Sequence, residues 1–151
     1  MKKTAIILAT GAALFAGSTI AAENPIAARK AVMQNVVQAT KMGGAMLKGK
    51  MDYSPAAGQL VLRVMNQASL SYSTLFPKGS EAGMETTASP KIWSDMGGFD
   101  AALVKFQADT SAGFVKPEEL EFFDKEAFGV AFGKAAANCK ACHQEYRVKK
   151  N

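Results

Sequence analysis

The sequence predicts an all-α fold, an antiparallel four-helix bundle. Four segments of similar length repeat apolar residues every three or four positions, Pro and Gly separate them, and no stretch alternates like a β-strand or hairpin. Mostly short connections favour antiparallel neighbours, and the core of such a bundle can hold a cofactor. With 151 residues, of which 48% are hydrophobic, the chain suits one globular domain with a real core.

The first 22 residues are predicted to be a secretory signal peptide, which leaves a single domain over residues 23–151. Lys2 and Lys3 form a positive start, residues 5–15 are apolar, and small residues follow before the cleavage site. The alternative is a membrane anchor, but the apolar run is shorter than the ~20 residues that a span needs. Cleavage would lower the formal charge from +5 to +3 and predicts a soluble protein in the periplasm.

The first two helices are predicted over residues 26–47 and from Pro55 to just before Pro77. Gly49 and the turn after it end the first helix, and Ser54 supplies an N-cap before Pro55 at the first helical position. The apolar residues counted on these helices are Ile26, Met33, Val36, Val37, Leu47, Leu60, Val61, Val64, Ala68 and Leu75.

A longer loop over residues 76–89 precedes the third and fourth helices. The third is predicted to begin near Ser89-Pro90, and the fourth near the acidic residues 118–121, running to about Val148. Their apolar positions are Ile92, Phe99, Leu103, Phe106, Leu120, Phe123, Ala127 and Val130.

The fourth helix carries the motif with the clearest chemistry, C-x-x-C-H at residues 139–143. On a helix, Cys142 and His143 lie about −60° and +40° from Cys139, so all three side chains share one face. This is the attachment pattern of c-type haem, in which both sulfurs bond to the haem and the histidine binds the iron. His143 is the single histidine of the chain.

Two other interpretations of the motif explain less. A thioredoxin-like redox pair needs a βαβ setting, which the helical surroundings do not supply. A structural disulfide gains little from so short a loop and leaves His143 unexplained. The motif therefore predicts one covalently attached haem c with its iron, bound through Cys139, Cys142 and His143.

Four segments together resemble one known family, the class II c-type cytochromes, whose reference member is cytochrome c′. Their order and spacing carry the resemblance, which covers essentially the whole chain after the signal peptide. Cytochrome c′ is itself a well-known four-helix bundle. The segments are R-x-x-x-M from Arg29 to Met33, FPKGSEAG at 76–83, SPKIWSD at 89–95 and CKACHQEYR at 139–147.

The resemblance implies roles for Met33 and Arg29. Many family members leave the sixth position of the iron open behind an apolar side chain, whereas a low-spin branch binds it with a methionine of the first helix. Met33 matches that ligand; the alternatives are a Met33 that covers the iron without binding it, or another methionine, although Met42 and Met46 lie two or three turns further along. Arg29 matches an arginine that approaches a haem propionate, and its alternative is a solvated arginine at a helix end.

Three further side chains near the motif have open roles. Arg147 either shields the proximal side of the haem or is a surface residue, and Trp93 and Tyr146 are expected to be core aromatics with a polar handle.

The sequence thus predicts a periplasmic monohaem cytochrome that carries single electrons and is not an enzyme. The alternative is a high-spin cytochrome c′ that binds nitric oxide or carbon monoxide. A basic C-terminal end favours redox partners that are acidic or membrane-bound, and neither nucleic acid nor a membrane span is expected. The family resemblance implies a possible homodimer through the first two helices, where Gly43, Gly44 and Ala45 would permit close approach.

Overall fold

The structure, a computed structural model, describes residues 24–83 and 86–149. The predicted signal peptide, residues 1–22, lies outside this range. The described residues form four long helices and one single-turn helix, with two 3₁₀ segments, Tyr72–Leu75 and Pro117–Phe122, between them. The described part contains no β-strand beyond one isolated bridge, which confirms the predicted all-α bundle. The helices are α1 (Pro25–Leu47), α2 (Pro55–Ser71), α3 (Lys91–Ser94), α4 (Met96–Ser111) and α5 (Lys125–Tyr146).

Each long helix begins behind a polar side chain that accepts a hydrogen bond from the backbone N–H three residues later. This capping satisfies a donor that the first turn leaves without a helical partner. Gly49, with φ at 68°, follows the end of α1 as predicted. The caps are Asn24 to Ala27 at 3.0 Å, Ser54 to Ala57 at 3.2 Å, Asp95 to Gly98 at 3.0 Å and Asp124 to Ala127 at 2.8 Å.

The third helix begins where it is predicted, with α3 starting at Lys91, but it is broken at Asp95, whose side chain caps α4. The predicted start of the fourth helix differs from the structure. The fourth begins at Lys125, because residues 117–122 form a 3₁₀ segment. The carbonyl of Phe123 accepts a short hydrogen bond from the hydroxyl of Tyr53, and Asp124 caps the N–H that a continuous helix would have paired with that carbonyl.

Two groups of buried side chains fill the bundle. The first cluster holds Met46, Leu62, Met65, Phe128 and Phe132 with smaller neighbours, and joins the second half of α1 to the middle of α2 and the first half of α5. The second cluster, which lies toward the C-terminal end of α5, consists of Phe76, Ile92, Phe99 and Leu103. No helix of the described residues has the length and apolar character that crossing a membrane requires.

Four apolar residues counted on the predicted inward faces are exposed instead. Each directly neighbours a buried residue, and a step of 100° along a helix turns the next side chain away from the core. The exposed residues are Val37 (48%), Leu60 (55%), Ala127 and Val130 (59%), beside the buried Val36, Val61, Phe128 and Ala131.

Candidate cofactor site

Close packing of α1 on α5 fixes the level at which the two helices face each other. A β-carbon on Gly43 would lie 2.5 Å from the ring of Phe132, and one on Gly129 would lie 3.3 Å from Leu47. From Gly43 to Leu47 the chain advances along α1, while their partners go back along α5 from Phe132 to Gly129. The two helices therefore run antiparallel. Ten residues back from Gly43 is Met33, and ten residues on from Phe132 is Cys142. At 1.5 Å per residue both lie ~15 Å from the contact, at the same level of the bundle.

The two cysteines of the motif are half-buried, free thiols on α5. Burial raises the pKa of both, and the neighbouring Cys139 adds to the effect on Cys142. A raised pKa keeps a thiol protonated, whereas a thiol–disulfide oxidoreductase needs a stabilised thiolate. The thiols thus lack the electrostatic setting of a redox pair.

His143 follows the cysteines on the same helix and is exposed at its surface. Partial burial lowers the pKa of its imidazole, and the charge of Arg147 adds to this. Because the neutral imidazole is the form that binds metals, these surroundings favour coordination over protonation. Arg147 itself is exposed, with its Nε 3.5 Å from the hydroxyl of Thr87.

A short segment before α3 holds the C-terminal end of α5. The N–H of Ser89 donates to the carbonyl of Tyr146 at 3.0 Å, and the N–H of Val148 donates to the carbonyl of Thr87 at 2.9 Å. An ion pair between Lys91 and Glu145 adds a side-chain contact. The motif is therefore anchored to the chain near residue 88, a pairing that no pattern in either segment predicts.

Arg29 is buried rather than solvated, with only 4% of its surface exposed. Its guanidinium donates to the carbonyl of Leu75 at 3.2 Å, to the hydroxyl of Ser80 at 3.0 Å and to the carbonyl of Ser80 at 2.9 Å. It also lies 4.5 Å from the ring centre of Phe76 and 5.5 Å from that of Trp93.

Burial lowers the pKa of Arg29, an effect that Tyr72 and Glu81 oppose. Three bonds leave two of the five guanidinium donors for other acceptors.

The methionines named as candidates occupy different parts of the bundle. Met33 is half-buried on α1, one turn after Arg29. Met46 is completely buried in the first cluster and Met42 packs against it, so both are committed to the other end of the bundle. Met96, on α4, packs against the second cluster together with Cys142.

Aromatic side chains surround the end of α5 that carries the motif. Trp93 donates its indole N–H to the carbonyl of Phe76 at 3.1 Å, and the hydroxyl of Tyr146 lies 3.3 Å from a carboxylate oxygen of Asp95. Both thus join an apolar ring to a polar handle, as the sequence predicts. Tyr72, which sequence reasoning missed, packs against the second cluster beside Cys142, and no motif marks it.

Comparison with known proteins agrees with this geometry. The family model described as Cytochrome C′ matches residues 24–147, nearly the whole described chain. The chain belongs to the cytochrome c′ family.

Individual relatives of this cytochrome c′ family member cover most of its length. Cytochrome c′ of Rhodopseudomonas palustris is 35% identical over 140 residues, 91% of each chain. Cytochrome c-556 of Agrobacterium tumefaciens (strain apple 185) is 29% identical over 125 residues, 82% of this chain and 94% of the relative. The solved structure of the Rhodopseudomonas palustris cytochrome c′ superposes with a TM-score of 0.75 and covers 85% of this chain and 98% of its own.

As a member of the cytochrome c′ family, the chain is a monohaem c-type cytochrome with one covalently bound haem c and its iron. The donor set fits this group. Two free thiols and the following imidazole share one face of α5, a thioether stands at the same level on the antiparallel α1, and a buried guanidinium lies one turn before that thioether. Arg29 already donates three hydrogen bonds to Leu75 and Ser80, and two of its five guanidinium donors are left for the group.

The two glycines of the predicted dimer contact differ in their surroundings. Gly43 lies against Phe132 within the bundle, so it is not part of an outer surface. A β-carbon on Gly44 would have no atom within 4 Å, so this position is open. Any close approach of a second copy along α1 would involve Gly44 rather than Gly43.

Proposed function

We propose that this cytochrome is a periplasmic one-electron carrier in which His143 and Met33 would both bind the haem iron. When bound, haem c supplies the one-electron chemistry, and the protein supplies ligands, burial and a docking surface. The observation that carries the proposal is the common level of Met33 and Cys142 on antiparallel helices. A domain over residues 23–151, released from a signal peptide over residues 1–22, belongs to the same proposal.

Each side chain of the site would hold a different part of the haem. Cys139 and Cys142 would form the two thioether bonds, and His143 would bind the iron from α5. Met33 would bind it from α1, and its soft thioether favours the reduced iron, which raises the reduction potential. Arg29, with two guanidinium N–H donors left after its three protein hydrogen bonds, would pair with a haem propionate through charge-assisted hydrogen bonds.

Binding of carbon monoxide to the reduced protein separates this function from gas binding. A thioether on the iron must leave before carbon monoxide can bind, so the wild type should bind it slowly or not at all. Met33→Ala should bind it readily and have a lower reduction potential. Met96→Ala is the matched control, because Met96 packs against the second cluster, as Cys142 does. Rapid binding by the wild type would instead favour the gas-binding function, and a change confined to Met96→Ala would assign the ligand to α4.

Replacement of His143 tests the other ligand. His143→Ala removes the single imidazole of the chain, so the optical spectrum should change in both oxidation states. An unchanged spectrum of the reduced variant would rule out ligation by His143.

Charge at the motif end supports docking of acidic redox partners. Lys140, Arg147 and Lys149 are all exposed there. Positive charge around a redox site raises the association rate with anions and loses this effect in salt. Oxidation by ferricyanide should therefore slow as ionic strength rises, and Lys140→Glu should slow it further. Oxidation by the cation tris(phenanthroline)cobalt(III) should respond in the opposite direction; equal responses to both oxidants would contradict docking by charge.

A further inference from the structure

The 3₁₀ segment Tyr72–Leu75 is attached to Arg29 at both of its ends. The hydroxyl of Tyr72 donates to the backbone carbonyl of Arg29 at 3.5 Å, and the carbonyl of Leu75 accepts from the guanidinium of the same arginine at 3.2 Å. One residue of α1 is thus held through its main chain and its side chain by a single turn that packs on α1.

The carbonyl that Tyr72 contacts belongs to the turn of α1 that ends at Met33. In an α-helix the carbonyl of residue i accepts from the N–H of residue i+4, so the carbonyl of Arg29 pairs with the N–H of Met33. The Tyr72 hydroxyl therefore donates to the same carbonyl whose hydrogen bond with Met33 closes the Arg29–Met33 turn.

The ring of Tyr72 packs among the aromatic side chains of the second cluster. It packs against the second cluster together with Cys142, with its centre 5.2 Å from that of Phe76 and 6.3 Å from that of Phe99. Burial raises the pKa of Tyr72 to about 12, so the hydroxyl keeps its proton and stays a donor at neutral pH. A rigid ring with a permanent donor links the surroundings of Cys142 to the α1 turn.

We propose that Tyr72 is a positioning residue for the sixth ligand, because it holds the Arg29–Met33 turn of α1 at a fixed place relative to Cys142. This inference rests on the proposed ligation by Met33. It assigns to Tyr72 a role in keeping the thioether at the iron, without contact between Tyr72 and the iron.

Removal of one hydroxyl tests the role. Tyr72→Phe keeps the ring and its packing but loses the donor. Tyr53→Phe is the matched control, because the Tyr53 hydroxyl also donates to a backbone carbonyl, that of Phe123, beside the first cluster. Two quantities are measured on the haem-loaded proteins: the rate of carbon monoxide binding and the hydrogen exchange rate of the Met33 amide.

Tyr72→Phe should raise both rates by roughly 2- to 5-fold, the factor that corresponds to the net loss of one long hydrogen bond. Tyr53→Phe should leave both unchanged. Equal effects of the two variants, or no effect of Tyr72→Phe on either rate, would overturn the inference. If the wild type already binds carbon monoxide rapidly, the ligation by Met33 fails on its own. The exchange rate of the Met33 amide then still decides whether Tyr72 holds the turn.

Discussion

Gly43 on α1 packs so tightly on Phe132 of α5 that a β-carbon there would lie 2.5 Å from the ring. No side chain fits between them, so the two helices are in direct contact here, and the level of the other residues on both helices follows. The assignment of Met33 to the level of Cys142 depends on this contact.

Gly43→Ala should therefore destabilise the protein by ~1–3 kcal/mol, the usual cost of overpacking a core. Gly44→Ala is the matched control. Its β-carbon would have no atom within 4 Å, and Ala is favoured over Gly inside a helix by ~0.5–1 kcal/mol. Urea unfolding of the haem-loaded proteins measures both free energies. Equal effects of the two substitutions would mean that α1 and α5 do not touch at Gly43.

The sequence was informative where local chemistry decides the structure. The Ser54-Pro55 start of α2 and the Gly49 end of α1 follow from capping and φ preferences, and both are confirmed. The predicted start of the fourth helix was wrong, because the start of α5 depends on a hydrogen bond from Tyr53, 70 residues away from Phe123. Periodicity carries no information on such a contact.

In the candidate site, too, features set by local chemistry could be predicted from the sequence, and features set by tertiary contacts could not. The C-x-x-C-H motif is recognisable from the sequence, because its three side chains are fixed by one helix. The burial of Arg29 could not be predicted, since its partners come from the loop at Leu75 and Ser80. Tyr72 was missed for the same reason: its place beside Cys142 follows from tertiary packing alone.

Covalent attachment should be visible in the intact mass. The purified protein should exceed its processed chain by the mass of one haem, and acid–acetone should not extract the colour. Cys139→Ala should retain at most one thioether bond and mature poorly. Free extraction of the pigment from the wild type would show that the cysteines do not hold it.

Arg29→Ala should cost ~2–4 kcal/mol of unfolding free energy, because it leaves the carbonyl and hydroxyl of the buried Ser80 without their donor. Arg63→Ala is the control. Arg63 is exposed on α2 and lies 4.6 Å from the ring centre of Phe114, so its loss should cost about 1 kcal/mol or less. Similar losses for both arginines in urea unfolding would contradict the structural role of Arg29.

Acid should weaken the contact between α4 and α5. Hydrogen bonds from Lys105 and Asn138 lower the pKa of Asp109 below its usual 3.8. A depressed pKa in the folded state means that the carboxylate stabilises the protein above pH 3.8 and loses this contribution as the pH falls through the folded value.

Asp109→Asn should thus be less stable than the wild type at about pH 6, and the difference should shrink toward about pH 3. Urea unfolding across this range measures it. Asp100→Asn, which replaces an exposed carboxylate on the same helix, is the comparison variant. A difference for Asp109→Asn that stays constant with pH would disprove the contribution.

The absorption spectrum of the purified ferric protein tests ligation by Met33 most directly. If Met33 binds the iron together with His143, the ferric haem should be low-spin with a weak near-infrared band, and Met33→Ala should lose this band and become high-spin. The band should be present in the wild type and in Met96→Ala. A wild-type protein that is already high-spin, without the near-infrared band, would contradict ligation by Met33.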